Sequence, residues 1–313
     1  MFENDESVSV SWISKENIAY RQIKLLNKVL FSSSQLKKKI LENDCLHIHG
    51  WGSLATLQAL FYGIKFKKRI IYTPHYHPLP RSLAKWLYFR LFIRPLAQKC
   101  SVIITLNNDD YAIFKQLNPH ISRQYNFLIS SFCVSTEQRI AKISDNNTIR
   151  RIILCVGRNE SNKSLHYLNY LSTDRYEIHC VTDSHKNFKD GIIIHHNIDE
   201  AALEDLYIKA DLLVVPSVFE AFSFAALEAL SKGTPVLCSQ FVRITDHLPK
   251  MSGITVFRYN SPEDFVNKIE PAMKQEVDIN KVREIFSPAR MKNELSAIYT
   301  PVTADNNSKN VRV

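Results

Sequence analysis

Glycine is scarce in this chain, 7 residues out of 313. Loops that wrap a phosphate with their own backbone need glycine for tight turns and close approach. Neither a Walker loop nor a Gly-x-Gly-x-x-Gly turn can be written from the glycines present. If phosphate is bound, side-chain cations and a helix terminus must bind it. Acid is missing from residues 45–108, where no Asp or Glu occurs while Lys65, Lys67, Lys68, Arg69, Arg81, Lys85, Arg90, Arg94 and Lys99 all fall inside. Most of the excess behind the formal net charge of +9 therefore sits in one stretch. Such a field attracts polyanions or an anionic membrane surface. The cysteines, at 45, 100, 133, 155, 180 and 238, are dispersed and form no Cys-x-x-Cys pair. Cys155, Cys180 and Cys238 lie in or beside apolar strand-like runs, and read as small buried thiols in a reducing compartment. No apolar run approaches the roughly 20 residues of a membrane span. The N-terminus opens acidic and polar, unlike a signal peptide. The expected localisation is cytoplasmic. Internal repeats and low-complexity tracts are also lacking.

What is present is ordinary globular composition, 45% hydrophobic and 23% charged, at a length that suggests two domains. Strand-like and helix-like runs alternate. In the first half strands are expected at Cys45–His49, Arg69–Thr73 and 102–106, and helices at 53–62, 83–100 and 109–117. In the second half strands are expected at Arg151–Val156, Tyr176–Val181, 191–195, Leu212–Val215, 235–238 and Ile254–Phe257. Helices are expected at 164–171, 200–210, 262–269 and 289–299. This alternation implies parallel βαβ units. The polar run Asp145-Asn146-Asn147-Thr148 reads as a linker, which divides the chain into domains at 1–147 and 148–299. A disordered tail is expected at 300–313.

Residues 214–239, VVPSVFEAFSFAALEALSKGTPVLCS, carry the most information. An apolar strand leads through Pro216-Ser217 to a turn bearing Glu220. A short alanine-rich helix with Glu228 follows, Gly233 stops it, and Thr234-Pro235 opens the next strand. A strand-to-helix turn gathers free backbone N–H groups and the positive end of a helix dipole at one point, which suits a phosphate. One carboxylate reaches a ligand at the turn and the other reaches what extends past it. The plain alternative for two glutamates at this spacing is a solvated helix face; the flanking strands argue against it.

This pattern resembles the nucleotide-sugar site of glycosyltransferase family 4, within the group 1 glycosyl transferases. The family's fold is GT-B: two Rossmann-like α/β domains facing a cleft. The family signature is a Glu, seven residues and a second Glu, and Glu220 and Glu228 have that spacing. Pro216, Ser217, Phe222, Gly233, Thr234, Pro235 and Val236 fall where the family has the same residues. The resemblance implies that Glu220 faces the donor sugar and Glu228 the ribose hydroxyls, with Ala221, Phe222 and Ser223 in the donor-binding turn. The family usually has glycine where this chain has Ala221 and Ser223, which implies a tighter or weaker pocket. The resemblance covers about residues 44–269. The opening 43 residues offer at most one strand in MFENDESVSVSWIS and no glycine, so the N-terminal domain is expected to lack its first βα unit or to carry it in a diverged form.

Other residues extend the resemblance. Gly157-Arg158 and then Lys163 repeat the family's cations that hold the donor diphosphate, with Ser164 where glycine is usual. Departure of a nucleoside diphosphate builds negative charge, which preorganised cations stabilise; the plain alternative is two surface cations at a strand end. His75, after the strand RIIYT, matches the family position that hydrogen-bonds the donor sugar from the N-terminal domain. The implied catalytic set is Glu220, His75, Arg158 and Lys163. No Asp-x-Asp occurs, which argues against the metal-dependent GT-A class. His47 and His49 form a His-x-His on one strand face, but no Cys or carboxylate is spaced to complete a zinc site, so no metal and no cofactor beyond the nucleotide-sugar substrate is expected. His195-His196 receives no chemical role. In LAKWLYFRLFIRP, residues 83–95, aromatics alternate with Lys85, Arg90 and Arg94. A core helix with a basic outer face accounts for most of its aromatics; an interfacial helix on anionic lipid is the functional reading.

The implied function is transfer of a sugar from a nucleoside-diphosphate sugar to a glycan or lipid-linked acceptor, with retention. An anionic membrane surface is a further partner and nucleic acid is not, since no binding motif accompanies the cations. Two other readings keep the fold: a non-catalytic nucleotide-binding partner subunit, and a nucleotide-sugar epimerase.

Overall fold

A computed structural model describes residues 20–25, 28–31, 33–75, 83–117, 124–126, 150–184, 187–248 and 253–299. The segment 1–14, the linker 145–148, the tail 300–313 and Cys133 lie outside the described residues. The chain forms two compact units. One comprises Met1–Thr105 with Asp109–Asn126, the other Leu106–Asn108 with Phe127–Val313.

In the first unit, β1 (Tyr20–Leu25) and β2 (Lys28–Phe31) pair antiparallel as a separate hairpin, and α1 (Ser33–Leu41) follows. Then come β3 (Cys45–His49), α2 (Leu54–Lys65), β4 (Arg69–Thr73), α3 (Leu83–Tyr88), a π-helical turn (Phe89–Ile93) and α4 (Arg94–Ala97). β5 (Val102–Thr105), α5 (Asn108–Leu117) and β6 (Gln124–Asn126) complete it. The parallel sheet runs β3-β4-β5-β6. All four residues of β5, VIIT, are buried, as expected of a strand covered on both faces. Leu46, Ile48, Ile70, Tyr72, Ile103 and Phe114 form the core. Gly63 of α2 lets that helix lie against the sheet. A Cβ there would stand 2.9 Å from the Cδ1 atoms of both Ile70 and Leu46.

The stretch expected to be helical over 83–100 is helical over 83–97, with a π-helical turn between α3 and α4. Of its aromatics, Phe89 is buried and Tyr88 half-buried, but Trp86 and Phe92 face solvent. The core reading therefore holds for only part of this stretch.

The second unit contains β7 (Arg151–Val156), a 3-10 helix (Leu165–Tyr170), β8 (Tyr176–Val181), β9 (Ile192–His195), α6 (Glu200–Lys209) and β10 (Leu212–Val215). It continues with α7 (Phe224–Ser231), β11 (Val236–Ser239), a 3-10 turn (Arg243–Asp246), β12 (Ile254–Phe257), α8 (Pro262–Met273), α9 (Ile279–Ile285) and α10 (Pro288–Tyr299). Its sheet is parallel throughout, in the order β12-β11-β10-β7-β8-β9. The short helix expected at 164–171 is a 3-10 helix over Leu165–Tyr170. Leu165, Leu168 and Leu171 are all buried, and a spacing of three matches the three-residue turn of that helix. Cys155, Cys180 and Cys238 are buried as expected, and burial pushes the Cys238 thiol up to about 12. Cys155 and Cys180 face each other in register on β7 and β8. Their mutual hydrogen bond and burial hold the Cys155 thiol well above its usual range, so it stays an inert thiol.

Strand order decides where a ligand can enter this unit. β7 and β10 are neighbours, yet the chain leaving β7 crosses to β8 on one side and the chain leaving β10 crosses to β11 on the other. The loops after these two strands therefore diverge and open a crevice at the carboxyl edge, which is where open parallel sheets bind ligands.

Candidate functional site

Both diverging loops bring charged side chains to that crevice. Lys163 Nζ, from the loop after β7, stands 2.9 Å from Glu220 Oε1, from the loop after β10. The same oxygen accepts a 2.5 Å hydrogen bond from Ser217 Oγ. One layer deeper, Ser239 Oγ donates to the Ser217 carbonyl at 2.5 Å. The backbone of Glu220 is fixed as well. Its N–H donates to the Phe241 carbonyl at 3.1 Å, and its own carbonyl accepts from Arg243 N–H at 3.0 Å. Val218 N–H donates to the Asn162 carbonyl at 2.8 Å, which ties one loop to the other. The Lys163 and Glu220 side chains are only 26% and 12% exposed, so each charge depends on the other for compensation.

Arg158 is placed differently. It lies on the rim, 73% exposed and paired at 3.0 Å with Glu160. Beside it, Asn159 N–H donates to Asp183 Oδ1 at 2.7 Å, joining the loops after β7 and β8. That bond holds the Asp183 carboxyl below the usual range. Of the two candidate diphosphate cations, the fold thus sets Lys163 against Glu220 and leaves Arg158 with solvent and one carboxylate.

The turn between Glu220 and α7 carries Ala221, Phe222 and Ser223. The Ala221 carbonyl accepts a hydrogen bond from the buried Asn107 side chain at 3.2 Å. Phe222 is buried, with Phe286 and His247 edge-on at 5.7 and 5.8 Å between ring centroids; it is an anchor for the turn. Ser223 caps α7, accepting from Ala226 N–H at 3.4 Å. Its backbone stands at φ 134°, a conformation that favours glycine. Ser164 has the same character at φ 51°, with its hydroxyl 2.9 Å from Tyr259 Oη. Two of the three positions where glycine was expected by resemblance therefore hold serine in left-handed backbone, and a local hydroxyl bond accompanies each.

A stability prediction arises here. Ser223→Gly removes strain of about 1–3 kcal/mol. It loses a long cap bond worth a few tenths and adds about 0.4–1 kcal/mol of unfolded-chain entropy. The variant is expected to melt roughly 2–4 °C higher, the shift of about 1 kcal/mol in a domain of this size. A lower melting temperature by calorimetry would show that the cap outweighs the strain.

Glu228 sits just over one turn into α7, where Tyr207 Oη of α6 donates to Glu228 Oε2 at 2.6 Å. Tyr207 is buried, and its carbonyl accepts from Thr234 Oγ1 at 2.6 Å, so the Thr-Pro entry to β11 braces it. Burial pushes the Glu228 carboxyl up, partly offset by the Tyr207 bond, and burial likewise pushes up the Tyr207 hydroxyl. Sequence reasoning missed Tyr207. It stands among the apolar residues of α6, and only the pairing across the helices reveals that its hydroxyl meets Glu228.

His75 belongs to the N-terminal unit, just beyond β4, in left-handed backbone at φ 47°. Its Nε2 lies 3.2 Å from His49 Nδ1, at the end of β3. His47 stacks on His49 at 4.2 Å and shares a 2.8 Å hydrogen bond with Thr73 Oγ1. Burial, with His49 and His75 nearby, pushes His47 down to about 3, so it is neutral at pH 7. Burial lowers His49 as well. Among the described residues no group of three or more His, Cys, Asp or Glu is arranged to hold a metal ion.

Residues 172–291 match the family model of glycosyl transferases group 1. The chain is 27% identical over 225 residues to an uncharacterised 41.2 kDa protein of the cps region of Klebsiella pneumoniae, covering 65% of this chain and 62% of that one. It is 26% identical to the O-antigen chain mannosyltransferase RfbU of Salmonella typhimurium, over 53% of this chain and 49% of that one. The chain thus spans less than two thirds of the length of either relative. Among solved structures, sucrose-phosphate synthase from Thermosynechococcus elongatus superposes with a TM-score of 0.66 at 14% identity, covering 94% of this chain and 81% of that one. The Anabaena protein HepE, determined with UDP-glucose, gives 0.67 at 13% identity, covering 85% and 81%. The chain therefore has the α/β fold of the GT-B glycosyltransferases, and its C-terminal unit contains the region that matches glycosyl transferases group 1.

Proposed function

We propose that this protein is a retaining, metal-independent glycosyltransferase of the family 4 type. It moves a sugar from a nucleoside-diphosphate donor to a glycan or lipid-linked acceptor in polysaccharide synthesis at the cytoplasmic face of a membrane. The observation that carries the reading is the crevice at the divergence of β7 and β10, where Lys163, Ser217 and Glu220 converge and Glu228 lies on α7, the helix that follows. In this role Lys163 and Arg158 neutralise the diphosphate as it departs, Glu220 with the Ala221–Ser223 turn orients the sugar, and Glu228 accepts from the ribose hydroxyls. His75 contacts the donor sugar from the N-terminal unit. The acceptor hydroxyl forms the new bond to the anomeric carbon as the bond to the diphosphate breaks, and its proton leaves with the diphosphate. Charge that develops on the departing group is met by groups already in place, which is where preorganised electrostatics act most strongly. The O-antigen mannosyltransferase among the relatives supports a saccharide chain as acceptor, and the UDP-glucose complex of a structural neighbour makes UDP-sugars the first donors to try.

The strained serines at 164 and 223 favour a second reading, a partner subunit that holds nucleotide without turning it over. One assay separates the two. Purified protein is incubated with UDP- and GDP-sugars, with and without a lipid-linked saccharide. Nucleoside diphosphate release that requires the acceptor, with product of unchanged anomeric configuration by NMR, is expected of the transferase. Nucleotide binding with no release across the panel assigns the partner role. Release or isomerisation without acceptor assigns the epimerase.

A further inference from the structure

The stretch from α3 through the π-helical turn to α4 has three rows of side chains, each recurring every fourth residue. Phe89, Ile93 and Ala97 form one row, and all three are buried in the core of the N-terminal unit. Leu83, Leu87 and Leu91 form the second, exposed at 71%, 39% and 60%. Trp86, Arg90 and Arg94 form the third, also exposed, with the Arg90 guanidinium 5.0 Å from the centre of the Trp86 ring. In a regular α-helix a fourth-residue row drifts steadily around the axis. The wider π turn, bonded from i to i+5, cuts that drift where it occurs and keeps the rows straight. Phe92, half exposed, flanks the leucines on the side away from the arginines. The outcome is an apolar stripe with a cationic border, on a helix whose opposite side is committed to the fold.

We infer that this face docks on an anionic lipid bilayer, with Leu83, Leu87 and Leu91 entering the interface and Arg90 and Arg94 meeting lipid phosphates. The inference gives the membrane partner in the proposed function its surface, and it stands on the N-terminal unit alone. Two features favour a bilayer over a protein partner. The cationic border belongs to a stretch, residues 45–108, in which no Asp or Glu occurs. Interfacial helices combine such a basic margin with Trp, Phe and Leu, and Arg carries its charge outward on an apolar stem. The neighbouring helices continue the character. α2 packs on α4 and exposes Phe61, and Lys65, Lys67 and Lys68 follow at its end.

Co-sedimentation of the full chain with vesicles tests the inference, using neutral phosphatidylcholine against mixtures with phosphatidylglycerol at low and high salt. Wild type is expected to pellet with anionic vesicles at low salt and to release at high salt. Arg90→Glu with Arg94→Glu is expected to weaken binding by at least about 30-fold, the equivalent of about 1 kcal/mol for each basic residue lost. Leu87→Ser with Leu91→Ser is expected to lower binding that survives salt. All four side chains are exposed, so melting temperatures should hold, and single substitutions replace any pair that fails to fold. Failure of wild type to pellet with anionic vesicles at low salt overturns the inference. So does binding that neither pair changes, which would move the contact elsewhere. A wild-type dimer by light scattering that Leu87→Ser with Leu91→Ser splits, without vesicle binding, would reassign the face to a second copy of the chain. Donor turnover with a detergent-solubilised saccharide acceptor and no vesicles is read in parallel, so loss of docking and failure of the transferase reading remain separate results.

Discussion

Lys163→Ala is expected to lower donor turnover by about 10²- to 10³-fold, the range for removing one preorganised group that meets developing charge. It is also expected to lower the melting temperature. Lys163 stands 2.9 Å from a Glu220 carboxylate that is only 12% exposed. Removing the lysine leaves that carboxylate with the Ser217 hydroxyl and little water, a loss of about 1–2 kcal/mol after allowing for partial exposure. Arg158→Ala separates function from folding. Its pair with Glu160 is largely exposed, and exposed pairs contribute about 0–1 kcal/mol, so melting should hold while turnover falls. Lys163→Met combined with Glu220→Gln removes both charges and should recover the melting temperature but no activity. Turnover and melting measured on all three variants decide the matter. If the double variant regains activity along with stability, the Lys163–Glu220 pair is structural and the diphosphate is held elsewhere.

The strands were legible because both faces of these parallel sheets are covered. Burial on both faces selects uninterrupted apolar runs such as RIIYT, VIIT and LLVV, which stand out without any alternation. The hairpin Tyr20–Phe31 was not legible, because YRQIKL and KVLF are joined with no glycine to mark a turn. α9 was not legible although Asp278 caps it and Ile279, Val282 and Ile285 recur every third residue; about two turns offer too few repeats to stand out.

Within the candidate site the sequence supplied residue types and spacing but not pairings. Glu220 and Glu228 were found by their separation along one short segment. That Lys163 meets Glu220 depends on β7 lying beside β10, a register no local pattern contains. The strain at Ser164 and Ser223 was hidden for a related reason. A glycine announces a left-handed backbone, whereas a serine there reads as an ordinary polar turn residue. Arg158 and Lys163 looked equivalent as two cations on one loop, and only burial distinguishes the rim residue from the paired one.

Glu228→Gln is expected to weaken nucleotide binding by about 10- to 100-fold, the loss of a charged acceptor worth about 1.5–3 kcal/mol, while leaving the unliganded protein at least as stable at neutral pH. The two effects have one origin. Burial raises the Glu228 carboxyl above its ordinary value, so the fold favours its protonated form. A raised group contributes stability that is complete below the ordinary carboxylate range and is lost as pH rises through the raised value. At neutral pH Glu228 is held ionised against that preference, and the neutral amide removes the penalty. Nucleotide binding needs the ionised form, because a carboxylate accepts from two ribose hydroxyls and a protonated one has a proton in the way. Wild-type affinity for UDP or GDP is therefore expected to rise with pH through the same interval in which the unliganded protein loses stability. Tyr207→Phe should shift both curves to higher pH, since its hydroxyl bond is what partly restrains the rise. Calorimetric titrations and melting curves between about pH 4 and 8 measure the two profiles. An affinity that ignores pH, or a Glu228→Gln variant that binds as tightly as wild type, would remove Glu228 from the ribose and leave it as a packing partner of Tyr207.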